Sequence, residues 1–487
     1  MKEDITLKEL KDSGYKERNI RTELRENLVA NIKSGKPVFE GLWGYEDTVI
    51  PQLKKAILAG HHINLLGLRG QAKTKIARGM ISLLDEYMPI VKGTEINDSP
   101  FNPISKYAID LLKEKGDLTP ISWVHRSGRF YEKLATPDVN VADLIGDIDP
   151  IKAATLKLPY SDQRVLHYGM IPRANRSIFV INELPDLQAR IQVSLFNILQ
   201  EGDVQIRGFQ LRMPLDIQFI FTANPEDYTN RGSIVTPLKD RIGSQIFTHY
   251  PTSLEVARQI TKQEARISDI DKERIKIGEL AMDLLEQVSF EARDSEYVDP
   301  KSGVSARLSI TAMENLIASA NLRMIETNTE TTMIRLSDFM SIIPAITGKI
   351  ELVYEGEQEG ASEVAKLLID AAVNTLFESL FPAIPKLEKE GVPTPYSHTI
   401  AWFDHNSFLE ISNKSNDASY RKSLDTIAPL KAIVKKHCPN LRENDIYFCM
   451  ELVLWALAIH DKLDRKETET AFTFENNLLK KHLFRDN

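Results

Sequence analysis

The sequence predicts an α/β fold: a mostly parallel sheet flanked by helices, followed by an all-helical domain and a helical C-terminal extension. Up to about residue 250, short apolar runs alternate with helical stretches, which is typical of buried parallel strands covered on both faces. Beyond that point apolar residues recur every three or four positions, as on one face of a helix. The strand-like runs are 63–66, 121–124, 177–181 and 217–222. The helical stretches are 254–265, 275–288, 310–324, 336–343, 361–384 and 445–462.

These changes of pattern divide the chain into four predicted segments. They are an N-terminal helical segment, an α/β domain, a helical lid domain and a helical C-terminal region, at residues 1–37, 38–250, 251–350 and 351–487. In the first segment Ile20, Leu24 and Leu28 have helical spacing. The acidic stretch 355–360 is predicted to be a loop, and the prolines between 382 and 395 a linker.

Composition favours an ordinary soluble protein. The 487 residues are 42 % hydrophobic and 27 % charged, with a formal net charge of -8 and both signs mixed along the chain. Because no basic block stands out, nucleic acid and membrane surfaces are not expected partners. Two cysteines, Cys438 and Cys449, are too few for a disulfide framework. With no signal peptide and no long apolar run, we expect a cytoplasmic protein.

A glycine-containing turn follows the first strand-like run and precedes a helical stretch. Its eight residues are Gly67, Leu68, Arg69, Gly70, Gln71, Ala72, Lys73 and Thr74. Strand, glycine turn and helix are the context of a phosphate loop, whose backbone N–H groups surround phosphate oxygens. Lys73 would reach the β- and γ-phosphates and the Thr74 hydroxyl would bind Mg²⁺, so the loop predicts binding of ATP with Mg²⁺. The alternative is an ordinary turn with a chance Lys-Thr pair.

One residue of this loop departs from the usual pattern. A glycine commonly precedes the lysine, and this chain has Ala72 there. Because the position lies close to the start of the helix, we expect alanine to adopt an acceptable conformation and the loop to remain functional.

The run 177–181 ends in a polar pair, Asn182 and Glu183. A glutamate after a buried strand can orient and activate a water for attack on a γ-phosphate, so Glu183 is the predicted catalytic base. Asn182 stands where an aspartate is expected as a metal ligand. It keeps an oxygen but lacks the negative charge, so Mg²⁺ should be held less firmly and hydrolysis should be slow. The alternative is a buried strand with a polar end.

Three further residues are predicted to act on the nucleotide. Asn224 follows the run 217–222 and would hold the attacking water or the γ-phosphate, since ligands gather at the carboxyl ends of parallel strands. Arg241 would act as an arginine finger toward the nucleotide of a neighbouring subunit. Arg307 opens a helix of the lid domain and would contact the nucleotide from there. Alone, Asn224 is also compatible with a simple turn and each arginine with a surface position.

The order and spacing of these motifs resemble the AAA+ ATPases of the helix-2-insert group, and more closely the MoxR-type and magnesium chelatase I-subunit-like ATPases. The resemblance covers residues 38–350. It extends to four further segments, 41–45, 143–149, 169–176 and 199–204.

The resemblance implies a P-loop AAA+ core with a hairpin inserted at about 135–170 and a second hairpin at about 203–213. It also implies a homo-oligomeric, hexameric ring that hydrolyses ATP and remodels or activates a protein partner. That partner would carry a von Willebrand A domain on another chain. Two alternatives stay open: a nucleotide-dependent assembly scaffold with little hydrolysis because of Asn182, and the ATPase subunit of magnesium chelatase itself.

Overall fold

A computed structural model of the chain describes residues 2–160, 162–206, 212–225, 233–385, 394–406, 408–468 and 471–476. These residues form two compact units, one ending at Tyr250 and one beginning at Pro251. Within the described ranges, every helix is too short or too polar to cross a membrane.

Strands and helices alternate through the first unit. The strands are β1 (Ile5–Thr6), β2 (Ile63–Leu66), β3 (Tyr87–Val91), β4 (Pro120–His125), β5 (Phe130–Leu134), β6 (Gly146–Ile148), β7 (Leu166–Tyr168), β8 (Ser177–Asn182), β9 (Asp203–Gln205), β10 (Arg212–Pro214), β11 (Ile217–Ala223) and β12 (Ser244–Phe247). The helices are α1 (Leu7–Asp12), α2 (Ile20–Lys33), α3 (Val49–Leu58), α4 (Lys73–Gly79), α5 (Lys106–Lys115), α6 (Val141–Leu144), α7 (Pro150–Leu156), α8 (Met170–Arg173), α9 (Ala189–Ser194), α10 (Phe196–Glu201) and α11 (Thr236–Arg241).

A five-stranded sheet in the order β12-β2-β11-β8-β5 forms the centre of this unit. All four neighbouring pairs are parallel. Strands β2, β8 and β11 are buried along their whole length, as strands covered on both faces must be. The predicted α/β class is therefore confirmed. Because the strands are parallel, the segments that follow β2, β8 and β11 meet at one edge of the sheet.

Each face of the sheet is covered by its own hydrophobic core. Successive residues of β8 alternate between them: Ile178 and Val180 belong to one core, Phe179 and Ile181 to the other. The first core also contains the apolar face of α2, which includes Ile20, Leu24 and Leu28. The N-terminal helix thus packs onto the α/β sheet through the residues whose helical spacing is visible in the sequence.

Two features of the sheet differ from the expectation. The run 121–124 is a strand, β4, but it pairs antiparallel with β1 and β3 in a separate sheet. The central sheet instead has β5 and β12 at its edges, where no strand was predicted. Both edge strands are only partly buried, and so neither forms the continuous apolar run by which a central parallel strand is recognised.

Two antiparallel pairs interrupt this unit. Strands β6 and β7 pair within the range where the resemblance implies an inserted hairpin, and α6 and α7 accompany them. Strands β9 and β10 pair where the second hairpin is expected. Residues 207–211 of that hairpin lie outside the described residues.

Asp216 anchors α2 to the start of β11 and makes the stability of this unit depend on pH. Its Oδ2 accepts a hydrogen bond from the Ile20 backbone N–H at 2.7 Å, and burial raises its pKa to about 6. Because the neutral form is favoured in the folded state, its contribution to stability is complete below about pH 4 and lost as pH rises through 6. Each tenfold change in proton affinity corresponds to about 1.4 kcal/mol, so the free energy of unfolding falls by about 3 kcal/mol.

Asp216→Asn keeps an acceptor for Ile20 and cannot ionise. We therefore expect its free energy of unfolding in urea to fall about 3 kcal/mol less than that of the parent between pH 4 and pH 7. Asp240→Asn, at an exposed acid, serves as the control and should keep the parent's pH profile. Parallel profiles for the parent and Asp216→Asn would contradict the assignment.

The second unit is mostly helical. Its helices are α12 (Leu254–Glu264), α13 (Asp269–Arg274), α14 (Glu279–Asp294), α15 (Arg307–Glu326), α16 (Ile343–Thr347), α17 (Tyr354–Glu359), α18 (Ala361–Leu380), α19 (Ser397–His405), α20 (Asp417–Asp425), α21 (Ala428–His437) and α22 (Glu443–Ile459). Its strands are β13 (Ile275–Lys276), β14 (Thr332–Met333), β15 (Phe408–Ser412), β16 (Leu463–Glu467) and β17 (Ala471–Asn476).

One hydrophobic core runs through this unit from Ile275 to Phe474 and crosses residue 350, so the predicted lid domain and C-terminal region share it. Helix α22 is apolar on nearly all sides, as expected of a helix at the centre of a core. Buried polar groups join the same two regions. The Arg335 guanidinium donates to the Ser415 carbonyl at 2.8 Å and to Asp417 at 2.9 Å.

The C-terminal half contains two departures from the sequence prediction. Strands β15, β17 and β16 form an antiparallel sheet in a region predicted to be wholly helical. Runs of five or six residues are too short for periodicity to separate strand from helix. Residues 354–359 form α17 where a loop was predicted. The acidic residues of its first turn, Glu355 and Glu357, interact favourably with the helix dipole.

Candidate nucleotide-binding site

The phosphate loop follows β2 at the carboxyl edge of the central sheet. The Gly67 backbone N–H donates to the Ala223 carbonyl at 3.1 Å, which ties the loop to the end of β11. A Cβ on Gly67 would lie 1.9 Å from Thr248 Oγ1, so a larger residue has no room there. Gly70 has φ +74°, a left-handed conformation that favours glycine. Gly67 is therefore required because no side chain fits there, and Gly70 because its backbone is left-handed.

Lys73 is the first residue of α4 and lies inside the curve of this loop. It is 9 % exposed, and its Nζ donates to the carbonyls of Gly67 and Leu68, the latter at 3.0 Å. A buried ammonium group requires such partners, because burying an unpaired charge is very costly. The cation is therefore held within the turn whose backbone N–H groups are predicted to bind phosphate.

The conformation of Ala72 contradicts the expectation that alanine is unstrained here. The residue has φ +54° and ψ +18°, in the left-handed region. This conformation costs an L-residue about 1–2 kcal/mol, because Cβ crowds the following carbonyl. The strain explains why glycine is usual at this position, and the chain tolerates it to keep the loop's shape.

Ala72→Gly is expected to raise the free energy of unfolding by about 1 kcal/mol. Relief of the left-handed strain outweighs the greater freedom of glycine in the unfolded chain. Ala77→Gly in the same helix is the matched control, because this residue is helical and buried. There the change should lower stability by about 1 kcal/mol or more. Chemical denaturation measures both, and a loss of stability in both variants would show that Ala72 is not strained.

Side chains from two distant segments brace the phosphate loop. The Tyr45 hydroxyl lies 2.9 Å from the Gln71 carbonyl and 2.8 Å from the His249 carbonyl, and burial raises its pKa well above the usual range. The Tyr250 hydroxyl donates to the Arg69 carbonyl at 2.9 Å. These bonds hold the loop in shape before any ligand arrives. Tyr45 lies in a segment that carries the family resemblance, whereas no local sequence pattern connects Tyr250 to the loop.

Glu183 directly follows β8 and has a strained backbone. Its φ is +55° and its ψ +49°, which is unusual for a residue with a side chain. Its backbone N–H donates to the Thr222 hydroxyl at 3.1 Å. Strained residues of this kind cost about 1–3 kcal/mol and cluster at functional sites. The half-buried Glu183 carboxylate thus occupies a position that local packing alone does not favour.

Asn182 and Thr222 link the ends of two neighbouring strands. The Thr222 hydroxyl donates to Asn182 Oδ1 at 3.1 Å, and Asn182 Nδ2 donates to Glu132 Oε1 at 2.6 Å. Asn182 and Thr222 are 9 % and 1 % exposed. Neither Thr222 nor Glu132 was predicted as a site residue, because their contacts join residues 40 and 50 positions apart in sequence.

Asn224 directly follows β11 and is 2 % exposed. Strand β11 lies between β2 and β8, so this residue follows the strand that separates the phosphate loop from the pair Asn182 and Glu183. The fold thus brings the predicted loop, acid and asparagine to one edge of one sheet.

The two predicted arginines have different surroundings. Arg241 ends α11, where its Nε donates to Gln200 Oε1 at 3.1 Å and its guanidinium lies 5.1 Å from the centre of the Phe196 ring. Arg307 is the exposed first residue of α15 in the second unit. Its role toward the nucleotide remains a prediction, as does the role of Arg241 toward a neighbouring subunit.

The oxygen donors at this edge fit Mg²⁺ only if nucleotide and water supply most of its ligands. Among the described residues, no cluster of three or more His, Cys, Asp or Glu side chains is suited to a metal. Mg²⁺ characteristically keeps several waters and binds one or two protein oxygens together with substrate phosphates. The predicted protein ligands are the Thr74 hydroxyl and Asn182 Oδ1. Although Asn182 Oδ1 accepts a hydrogen bond from Thr222, it retains a second lone pair for the ion.

Comparison with known proteins gives one family match and distant relatives among ATPase subunits. Residues 158–243 match the model of the Sigma-54 interaction domain family. The magnesium-chelatase 38 kDa subunit of Cereibacter sphaeroides is 25 % identical over 229 residues, which cover 45 % of this chain and 61 % of that subunit. The same subunit of Rhodobacter capsulatus is 22 % identical, covering 46 % and 59 %. The chain thus spans about three fifths of the length of these relatives.

Solved structures of low identity also match. One is a complex between the magnesium chelatase subunits BchI and BchD, 19 % identical with a TM-score of 0.34, covering 66 % of this chain and 98 % of the other. Another is NtrX from Brucella abortus in complex with ATP, 14 % identical with a TM-score of 0.39, covering 72 % and 66 %. In its phosphate loop, its parallel sheet and its sequence, the chain is thus similar to AAA+ ATPases related to the magnesium chelatase subunits.

Proposed function

We propose that this chain binds ATP with Mg²⁺ and hydrolyses it as a subunit of a homo-oligomeric ring that remodels or activates a protein partner. The observation that carries the proposal is the position of the buried Lys73 ammonium. It lies in a braced phosphate loop at the sheet edge where Glu183 and Asn224 also follow their strands.

Binding rests on the loop itself. Its backbone N–H groups surround the β-phosphate, and Lys73 exchanges its bonds to the loop carbonyls for phosphate oxygens. Because Tyr45 and Tyr250 already hold the loop carbonyls, little ordering is needed when the triphosphate binds. When bound, Mg²⁺ neutralises charge that develops on the phosphates in the transition state.

Hydrolysis depends on the residues at the strand ends. Glu183 accepts a hydrogen bond from the attacking water and orients it in line with the γ-phosphate. Asn224 contacts the water or the γ-phosphate from the neighbouring strand. The hydrogen bond from the Glu183 backbone to Thr222 fixes the direction in which the carboxylate leaves β8. Glu183 and Asn224 are the catalytic residues of this proposal.

The ring is proposed from the family and from Arg241. A neighbouring subunit in a head-to-tail ring would present Arg241 to the nucleotide, and Arg307 would contact it from the helical unit. One similar solved structure is a complex between two magnesium chelatase subunits. By analogy we propose a hexamer of the MoxR type in the cytoplasm, with a partner chain that carries a von Willebrand A domain.

Mixing two inactive variants tests whether Arg241 acts between subunits. Arg241→Ala lacks the finger, Glu183→Gln lacks the base, and each should release little phosphate by itself. In a ring of randomly mixed subunits, about one interface in four combines an intact Glu183 with an intact Arg241. We therefore expect about a quarter of the parent's phosphate release from an equal mixture.

As a control, each variant is mixed with subunits that carry both Lys73→Ala and Arg241→Ala. These subunits have no finger to offer the Arg241→Ala protein, so no complete interface forms with it. Failure of the equal mixture to recover activity, with both variants folded and assembled, would exclude a finger acting in trans. If the parent itself binds ATP and assembles but releases no phosphate, the chain is instead a nucleotide-dependent scaffold. The lack of a negative charge on Asn182 favours that second function.

A further inference from the structure

Position 182, at the end of β8, is an asparagine where an aspartate is expected. The neighbouring strand β5 carries a carboxylate close to it, that of Glu132. In the register of the sheet, Leu134 of β5 lies beside Asn182 and Glu132 beside Val180. Side chains alternate along strands, so Glu132 and Asn182 lie on the same face of the sheet. The Glu132 side chain extends toward the end of the strand, and its Oε1 accepts from Asn182 Nδ2 at 2.6 Å.

Hydrogen bonding determines which way the Asn182 amide points. Thr222 Oγ1 accepts from the Glu183 backbone N–H, so its own proton is free to bond an acceptor, and that acceptor is Asn182 Oδ1. A carboxylate accepts only, so the amide nitrogen must face Glu132. These two hydrogen bonds therefore assign both the oxygen and the nitrogen of the Asn182 side-chain amide. Asparagine is the residue this position requires while Glu132 is its neighbour.

An aspartate at position 182 would be incompatible with this neighbour. It would bring two carboxylates to a distance at which no hydrogen bond could form between them unless one were protonated. Asn182 and Glu132 are therefore a matched pair, in which the negative charge lies on β5 instead of β8.

Glu132 also lies beside the helix that begins at the phosphate loop. Its Oε2 accepts from Arg78 Nη2 at 2.8 Å and from Nε at 3.1 Å. Arg78 and Thr74 are four residues apart on α4, so they share one face of that helix and are about 6 Å apart along its axis. The carboxylate thus contacts the helix that carries the hydroxyl predicted to bind Mg²⁺, through a residue about one turn further along it.

The ion pair with Arg78 leaves Glu132 available for a second role. The Arg78 side chain is 61 % exposed and that of Glu132 24 % exposed. Ion pairs exposed to this extent contribute little to folding. The ion pair with Arg78 therefore gives little structural reason for a carboxylate, rather than a neutral acceptor, beside Asn182.

From this geometry we propose that Glu132 supplies the negative charge of the Mg²⁺ site that an aspartate at position 182 would otherwise supply, and that Asn182 is the residue that positions it. The proposal rests on the proposed function, because it concerns Mg²⁺ bound together with ATP. It assigns Glu132 to the water shell or coordination sphere of the ion.

The test compares ATP affinity with Mg²⁺ and with EDTA, measured by calorimetry. The ratio of the two dissociation constants is the contribution of Mg²⁺ to binding. Groups that position or neutralise a bound metal typically change its affinity by 10–100-fold. We expect Glu132→Gln to reduce this ratio by about 10–100-fold and Asn182→Asp to reduce it by about tenfold. The double variant Glu132→Gln/Asn182→Asp exchanges donor and acceptor and should recover most of the loss.

Arg78→Gln is the matched control, because it breaks the same ion pair and leaves the carboxylate in place. If Glu132 has only a structural role, Arg78→Gln and Glu132→Gln should change the ratio equally, and that result would overturn the proposal. So would a double variant no better than either single one. Melting temperatures without nucleotide verify that each variant is folded. A parent that fails to bind ATP under both conditions would refute the proposed function itself, which distinguishes the two failures.

Discussion

Lys73→Ala is expected to weaken ATP binding by about 10²–10³-fold. The ammonium is nearly buried among loop carbonyls, and its removal leaves triphosphate charge without its cationic partner. Truncating one member of a buried charged pair costs about 2–5 kcal/mol or more. At 1.4 kcal/mol per factor of ten, about 3–4 kcal/mol corresponds to the stated loss. Calorimetric titration with ATP and Mg²⁺ measures it directly.

Lys75→Ala provides the control for this substitution. Lys75 lies two residues further along α4, so its side chain leaves the helix in a nearly opposite direction. Its replacement should change ATP affinity only slightly. Equal affinities for Lys73→Ala and the parent would mean that the loop does not bind phosphate in the proposed way.

Glu183→Gln is expected to leave ATP binding near the parent's value and to slow phosphate release by about 10²–10⁴-fold. This range is typical for loss of a general base. The substitution preserves the size of the side chain and its left-handed backbone, so the loop and the fold should be unaffected. Single-turnover measurements with labelled ATP separate the two effects, because the variant should retain unhydrolysed ATP.

Glu201→Gln is a suitable comparison, since this acid is exposed at the end of α10. It should hydrolyse ATP at the parent's rate. If Glu183→Gln also turned over at that rate, the base would have to be a different residue, and the assignment of the β8 strand end would be wrong.

The parts of the site that were predictable from sequence are those with a local signature. The phosphate loop, Glu183 and Asn224 each follow a short apolar run, and parallel strands bring such positions to one edge. The left-handed conformation of Ala72 was not predicted, although the glycine that is usual at this position indicates a positive φ. The edge strands β5 and β12 were not predicted, because partly buried strands lack the continuous apolar run by which central parallel strands are recognised.

Long-range contacts account for most of what the sequence did not reveal. Thr222, Glu132 and Tyr45 join the site through hydrogen bonds to residues 26–50 positions away, or more than 200 away for the bond from Tyr45 to His249. No pattern of spacing predicts which polar side chains meet across a sheet. For the same reason Asn182 reads as a defective metal ligand in the sequence, whereas the structure pairs it with a carboxylate on the adjacent strand.

Every role proposed for this chain requires that the loop between β2 and α4 bind a triphosphate with its magnesium ion. Calorimetric titration of the full chain with ATP in the presence of Mg²⁺ tests it most directly. We expect saturable binding of one nucleotide per chain, which Lys73→Ala loses and Lys75→Ala retains. Absence of heat and of saturation on folded parent protein would contradict it.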